Sequence, residues 1–184
     1  MSAKTRHNQK SRTAVKDTVF VAMFAALIAV CSIVSIPIGE VPVTLQTFAV
    51  CLSGAMLGWR RGMLSVLIYT LLGAVGLPVF AGMKGGVGVL AGSTGGYIAG
   101  FLLTALIIGA AAEKWERKAL PLTVSMIFGV LLCYAIGTVW FLFVTKTRVG
   151  DALLLCVVPF LIPDAVKIAA AVILSNRLSK VVRL

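Results

Sequence analysis

The stretch VVPFLIPDAVKIAAAVIL, residues 157–174, carries two charged residues in an otherwise apolar run. Asp164 and Lys167 are three positions apart, so on a helix they lie on one face. The run approaches the roughly 20 residues that a helix needs to cross a bilayer. Charges within such a helix are costly, and they usually face a partner or a cavity. The stretch therefore predicts a membrane helix with a polar site, and the simpler alternative is an ion pair that only tolerates burial.

The rest of the chain shares this apolar character. Of its 184 residues, 60% are hydrophobic and 12% are charged, whereas soluble domains have about 45–50% and about 25%. Six helices of roughly 20 residues would use most of the chain. The composition therefore predicts an all-α membrane protein, a bundle of six transmembrane helices without a soluble domain.

Apolar runs and the residues that interrupt them place the helices. Two prolines and a glycine, Pro37, Gly39 and Pro42, end the first run, and a turn at residues 58–62 separates the second from the third. Residues 76–96 are rich in glycine, and we expect them to fold against protein. The predicted helices cover residues 17–35, 44–57, 63–75, 95–112, 121–144 and 152–179, with Pro159 and Pro163 bending or splitting the last one.

The basic residues predict the orientation. With six helices, thirteen of the 17 Lys and Arg residues fall on one side of the membrane. They lie in residues 1–16, at Arg60 and Arg61, in residues 113–118 and in residues 177–183. By the positive-inside rule this side is cytoplasmic and holds both termini. We therefore predict a basic cytoplasmic tail over residues 1–16 and a single transmembrane domain over residues 17–184. The net charge of +11 is explained by topology better than by nucleic-acid binding.

Several polar or aromatic residues near the outer side are candidates for ligand contact. Thr44, Gln46 and Thr47 begin the second helix, where the threonines alternatively only cap it. Tyr97 follows a glycine pair and faces either a cavity or the lipid interface. Phe80 would pack on an apolar ligand surface or in the core.

Small residues recur at helical spacing on the first helix. Ala22, Ala25, Ala26 and Ala29 form a stripe that allows another helix to approach closely. This stripe predicts either packing within the bundle or docking of a separate membrane subunit.

Catalytic and metal sites are not predicted. The sequence contains no ATP-binding G-x-x-x-x-G-K-[ST] pattern, no G-x-S-x-G and no H-E-x-x-H. His7 is the only histidine, and the four cysteines lie in apolar runs without a C-x-x-C pair. We expect no enzyme, no metal and no cofactor, and any uphill transport would need energy from a separate subunit.

Four sequence pieces together resemble a known family. TLQT at residues 44–47, GLPVFAG at 76–82, TGGY at 94–97 and PDAVK at 163–167 occur in this order, along with the alanine-rich first helix. Singly they are weak, but in this order and spacing they are specific. The chain is thereby similar to the BioY family, the biotin-binding S components of energy-coupling factor transporters.

The resemblance implies a biotin site near the outer face. Asp164 would accept a ureido N–H group and Lys167 would donate to the ureido carbonyl, or alternatively to the tail carboxylate. Further contacts would come from Thr44, Gln46, Thr47, Tyr97 and Phe80, from Lys84 near the tail carboxylate, and from Gly86 in the glycine-rich loop. Biotin is thus expected as the transported ligand and not as a cofactor.

The resemblance also implies partners. A membrane-embedded coupling protein would meet the alanine stripe and join two ATPase subunits, in a bacterial cell membrane that the chain crosses several times. Three other hypotheses stay open: an S component for thiamin or riboflavin, a structural membrane subunit, and a membrane-embedded enzyme, which would want more intramembrane acids than Asp164.

Overall fold

The structure is a computed structural model that describes residues 3–181, and it is mostly helical. Its elements are α1 (Ala3–Ile33), β1 (Ser35–Ile36), β2 (Val43–Thr44), α2 (Gln46–Ala74), α3 (Val87–Ala91), α4 (Gly95–Lys114), α5 (Ala119–Thr145), α6 (Val149–Cys156) and α7 (Val158–Val181).

The first helix is longer than predicted, and a hairpin follows it. Helix α1 begins at Ala3 and not at residue 17, because no glycine or proline interrupts residues 3–33. Strands β1 and β2 pair antiparallel, with Ser35 opposite Thr44. The predicted helix ends at residues 35 and 44 were therefore wrong, since both residues belong to the hairpin that encloses Pro37 and Pro42.

Helix α2 contains a sharp break at Gly58. This residue has φ 79° and ψ 179°, a conformation that is essentially restricted to glycine. The chain folds back here and brings the two segments into contact: a Cβ on Gly62 would lie 3.0 Å from Gly54 Cα. The two segments correspond to the predicted second and third helices, but the turn is a single residue and not the predicted residues 58–62.

The break in α2 is held by one side chain in the last turn of α4 and one just after it. Arg117 donates hydrogen bonds to the carbonyl oxygens of Ala55 and Met56, both at 3.0 Å. The Glu113 carboxylate accepts the Trp59 backbone N–H at 3.2 Å. Backbone groups that the break leaves without helical partners are thus satisfied.

The remaining long helices agree closely with those predicted from the sequence. Helices α4 and α5 begin and end within two residues of the predicted limits. The prediction that prolines split the last helix is confirmed, since α6 and α7 are separate around Val157, and Pro163 lies inside α7. A short helix, α3, interrupts the glycine-rich segment and was not predicted.

Within the described residues, four helical spans are long and apolar enough to cross a membrane. They are Val15–Ile33, Gly95–Lys114, Ala119–Thr145 and Val149–Ser179. Each segment of α2 is shorter than the roughly 20 residues of a full span. The count of six transmembrane helices therefore stays a prediction, while a helical membrane protein with several spans is what the structure supports.

One hydrophobic cluster joins helices α1, α2, α4 and α5. Its fully buried members include Ile28 of α1, Val50 and Val66 of α2, Ile108 of α4 and Met126 of α5. Many large apolar side chains point outward instead, such as Phe128, Phe143 and Ile162. Outward apolar surface on helices of this length is typical of contact with lipid.

Candidate ligand-binding site

A cavity of about 320 Å³ opens between the hairpin, the glycine-rich segment and the helices. This volume is at the lower end of the roughly 300–1,000 Å³ of small-molecule sites. Its polar and charged lining residues are Glu40, Thr44, Gln46, Thr47, Tyr69, Lys84, Ser93, Thr94, Tyr97, Thr104, Tyr134, Asp164 and Lys167. Aromatic and aliphatic lining residues include Val41, Phe80, Val89, Ile98, Phe101, Val130 and Phe160. The site combines apolar walls with a few polar groups, as ligand pockets do.

The intramembrane ion pair forms part of the cavity wall. Lys167 Nζ lies 2.6 Å from Asp164 Oδ1, and the Tyr134 hydroxyl donates to Asp164 Oδ2 at 2.5 Å. Asp164 is 3% exposed and Lys167 is 7% exposed. Burial of two charges is tolerated when they pair and find further hydrogen bonds. Each carboxylate oxygen has a second lone pair, so Asp164 can still accept a donor from a ligand.

Phe80 anchors the glycine-rich segment over the cavity. Its ring lies directly on Gly73 of α2, where a Cβ would collide with it. It also meets the Tyr69 ring edge-on, with ring centroids 5.6 Å apart. The backbone N–H of Phe80 donates to the Lys84 carbonyl at 2.9 Å, closing a tight loop. Because Gly73 has no side chain, the Phe80 ring can pack directly on α2, and this contact fixes the position of the loop.

Tyr97 is held at the cavity by its hydroxyl. The hydroxyl donates to the Cys156 carbonyl oxygen at 3.3 Å and lies 3.3 Å from Thr138 Oγ1. A Cβ on Gly137 would collide with the Tyr97 ring. The hydroxyl thus connects α4, α5 and α6, and the ring forms the wall of the cavity.

Gln46 is buried with one end unsatisfied. Its Oε1 atom accepts a hydrogen bond from Ser32 Oγ at 3.3 Å. Its Nε2 atom has no hydrogen-bond partner among residues 3–181. A buried amide that lacks a partner costs about 1–3 kcal/mol, so a ligand oxygen that accepts from Nε2 would recover this energy.

Eight of the nine predicted ligand-binding residues line this cavity. They are Thr44, Gln46, Thr47, Phe80, Lys84, Tyr97, Asp164 and Lys167. Gly86 does not line it: its backbone N–H donates to the Gly73 carbonyl at 2.7 Å, and its φ of 96° serves the turn into α3. Thr44 Oγ1 accepts the Gln46 backbone N–H at 3.2 Å. A contact to ligand remains a prediction for each of the eight.

Tyr134, Tyr69 and Glu40 also line the cavity, and sequence reasoning missed them. Tyr134 is 30 residues from Asp164 and shares no local pattern with it. The only available signal was a tyrosine within an apolar helix, because its hydroxyl needs a partner when buried.

The alanine stripe on α1 is divided by the structure. Ala22 and Ala26 are exposed and Ala29 is half-buried. Ala25 is 2% exposed and packs in the core. The expectation that Ala25 belongs to a partner surface is corrected, because Ala25 lies at the edge of the stripe that faces the bundle and is covered by core residues.

No group of three or more His, Cys, Asp or Glu residues is arranged to hold a metal ion in the described part of the chain.

Comparison with known proteins shows the family of this chain. The model of the BioY family matches residues 3–184. The chain belongs to the BioY family. The biotin transporter BioY of Thermotoga maritima is 44% identical over 169 residues, which is 90% of this chain and 97% of that protein. Biotin transporter BioY2 of Lactococcus lactis is 40% identical over 155 residues, 84% of this chain and 85% of that protein.

A solved structure shares the fold. The crystal structure at 2.1 Å of the S-component for biotin from an ECF-type ABC transporter matches with a TM-score of 0.85 and 29% identity, and covers 98% of this chain and 95% of that chain. The resemblance to the BioY family is therefore confirmed. Proteins of this family and fold serve transport and binding and are not enzymes.

Proposed function

We propose that this chain is the S component of an energy-coupling factor transporter, a membrane subunit that binds biotin with high affinity from the outer side. The observation that carries the proposal is the Asp164–Lys167 pair, which lies in the wall of the cavity of a BioY family member. Biotin offers ureido N–H groups to a carboxylate, a carbonyl to an ammonium, and an apolar ring to aromatic walls.

The cavity supplies a matching group for each part of biotin. Asp164 accepts a ureido N–H, and Lys167 donates to the ureido carbonyl. Phe80 and Phe160 cover the apolar thioether ring. Lys84, on the glycine-rich segment, takes the tail carboxylate. Support comes from the position of the carboxylate, the two ammonium groups and the aromatic rings around one cavity of about 320 Å³.

We further propose six membrane crossings with both termini in the cytoplasm of a bacterial cell, the two segments of α2 serving as the second and third. In this arrangement residues 17–184 form one transmembrane domain and residues 1–16 its basic extension. The hairpin, the α3 segment and the α5–α6 loop then face outward, together with the mouth of the cavity. The distribution of Lys and Arg supports this orientation.

The proposed partners are a membrane-embedded coupling protein and two ATPase subunits. Ala22, Ala26 and Ala29 provide the small-residue surface that the coupling protein would contact. Energy must come from such a module, because the sequence lacks a phosphate-binding loop of the G-x-x-x-x-G-K-[ST] type.

Equilibrium binding of biotin to the purified, detergent-solubilised protein tests the proposal. We expect saturable binding of biotin and an increased melting temperature, because a ligand that binds only the folded state stabilises it. Thiamin and riboflavin should give neither effect. Binding of one of them in place of biotin would transfer the site to another vitamin, and no thermal shift with any would favour a structural subunit.

A further inference from the structure

A chain of three buried polar side chains runs from the cavity wall to α1. The Tyr69 hydroxyl donates to Ser32 Oγ at 3.0 Å, and Ser32 Oγ donates to Gln46 Oε1 at 3.3 Å. Tyr69 and Gln46 line the cavity, whereas Ser32 is 0% exposed and does not line it. Ser32 therefore acts on the site only through its neighbours.

These hydrogen bonds fix the amide of Gln46, a residue that lines the cavity, through its oxygen atom. Ser32 occupies the amide oxygen, so the amide nitrogen keeps both of its hydrogens without a partner in the described part of the chain. An acceptor atom of a ligand can take one of these two hydrogens.

We propose that Ser32, held by Tyr69, is a positioning residue that fixes the Gln46 amide nitrogen toward the cavity, so that this corner of the site recognises an oxygen acceptor of the ligand. The inference rests on the proposed function and deepens it. Biotin has two such acceptors, the ureido oxygen and the tail carboxylate. A ligand group that only donates hydrogen bonds is excluded from this corner, because it would leave Nε2 unpaired and face it with a like dipole.

A double-mutant cycle tests the link between Ser32 and Gln46. We expect Ser32→Ala to weaken biotin binding about tenfold, which corresponds to about 1.4 kcal/mol, because the amide is free to turn. In a Gln46→Ala background the same change should have no further effect. Costs that multiply in the double variant would overturn the proposal, as would unchanged binding in Ser32→Ala.

Ser65→Ala is the matched control for loss of a buried hydroxyl. Ser65 is also 0% exposed, but its Oγ donates to the Arg61 carbonyl oxygen of its own helix at 2.9 Å and does not line the cavity. We expect wild-type affinity for biotin. An equal loss in Ser65→Ala would show a general packing effect and overturn the proposal. Should Ser32→Ala fail to fold, Ser32→Cys, whose thiol is a weaker donor, carries the same cycle.

Biotin analogues identify the acceptor. One analogue replaces the ureido oxygen by an imino group that is protonated at neutral pH and therefore only donates, and another replaces the tail carboxylate by a methyl group. The analogue that lacks the recognised acceptor should bind to Gln46→Ala and to Ser32→Ala as tightly as it binds to the wild-type protein. Equal costs with biotin and with both analogues would overturn the proposal. Failure of the proposed function itself would appear differently, as absence of biotin binding by the wild-type protein.

Discussion

The Tyr134 hydroxyl donates to Asp164 Oδ2 at 2.5 Å and thereby joins α5 to α7 at the buried ion pair. Lys167 occupies the other oxygen of the same carboxylate at 2.6 Å. Both carboxylate oxygens thus have a protein partner before any ligand enters. The arrangement keeps the carboxylate fixed with free lone pairs, which favours binding of a rigid donor because little side-chain freedom remains to be lost.

Asp164→Ala should weaken biotin binding tenfold or more. The change removes the proposed ureido acceptor and leaves the Lys167 ammonium buried without its partner, which itself costs about 3–5 kcal/mol of stability. Equilibrium binding and thermal unfolding measure the two effects. Asp151→Ala, at an exposed acid of α6 away from the cavity, is the control and should bind normally. Unchanged affinity in Asp164→Ala would remove this residue from the site.

A paired replacement separates folding from binding at the same place. Asp164→Leu together with Lys167→Met removes both charges at once, and such exchanges are often neutral or stabilising. We expect thermal stability to recover toward the wild-type value while biotin binding stays lost. Recovery of binding in the double variant would show that the two charges do not contact the ligand.

Tyr134→Phe should reduce both stability and affinity by less than Asp164→Ala does. The ring that lines the cavity is kept, and only one hydrogen bond to a charged group is lost, worth about 1.5–3 kcal/mol. Thermal unfolding with and without biotin checks this. A variant with wild-type melting temperature and affinity would mean that this hydroxyl does not hold the carboxylate.

Gly73→Ala should lower biotin affinity by displacing the loop that covers the cavity. Alanine is a better helix former than glycine, but its Cβ would collide with the Phe80 ring. Loss of helical content is therefore not expected, and the effect should appear in binding and in faster biotin dissociation. Gly150→Ala, where a Cβ meets nothing within 4 Å, is the control.

Gly58→Ala should destabilise the protein. Any side chain is strained at φ 79° and ψ 179°, by about 1–3 kcal/mol, and this Cβ would also collide with the Glu113 carboxylate. We expect a lower melting temperature in detergent. Gly88→Ala, which has open space for a Cβ, should leave the melting temperature near that of the wild type.

Ala26→Trp should impair assembly without impairing biotin binding. Ala26 is exposed on α1, and a large side chain there would prevent close approach of a coupling protein. Co-purification with the coupling module and biotin binding by the isolated subunit are the two measurements. Ala170→Trp, at an exposed position of α7, is the control. Normal assembly of Ala26→Trp would exclude this face from the interface.

Much of the fold and most of the site could be predicted from local sequence patterns. Helices α4 and α5 follow from apolar runs, and the split near Pro159 follows from the missing backbone N–H of proline. The position of Asp164 and Lys167 on one face follows from helical spacing alone. The predicted limits at residues 17, 35 and 44 were wrong. The ends of an element depend on contacts with neighbouring segments as well as on composition.

By itself the sequence determined a helical membrane protein with a polar pair inside it, since composition, helical period and the cost of charge in lipid are properties of local segments. Only the tertiary structure decided that Tyr134 meets Asp164, that Ser32 takes the oxygen of Gln46, and that Ala25 turns into the core. These contacts join distant segments or depend on how far each helix is rotated. Rotation and close approach are fixed by packing of whole helices, which no local pattern records.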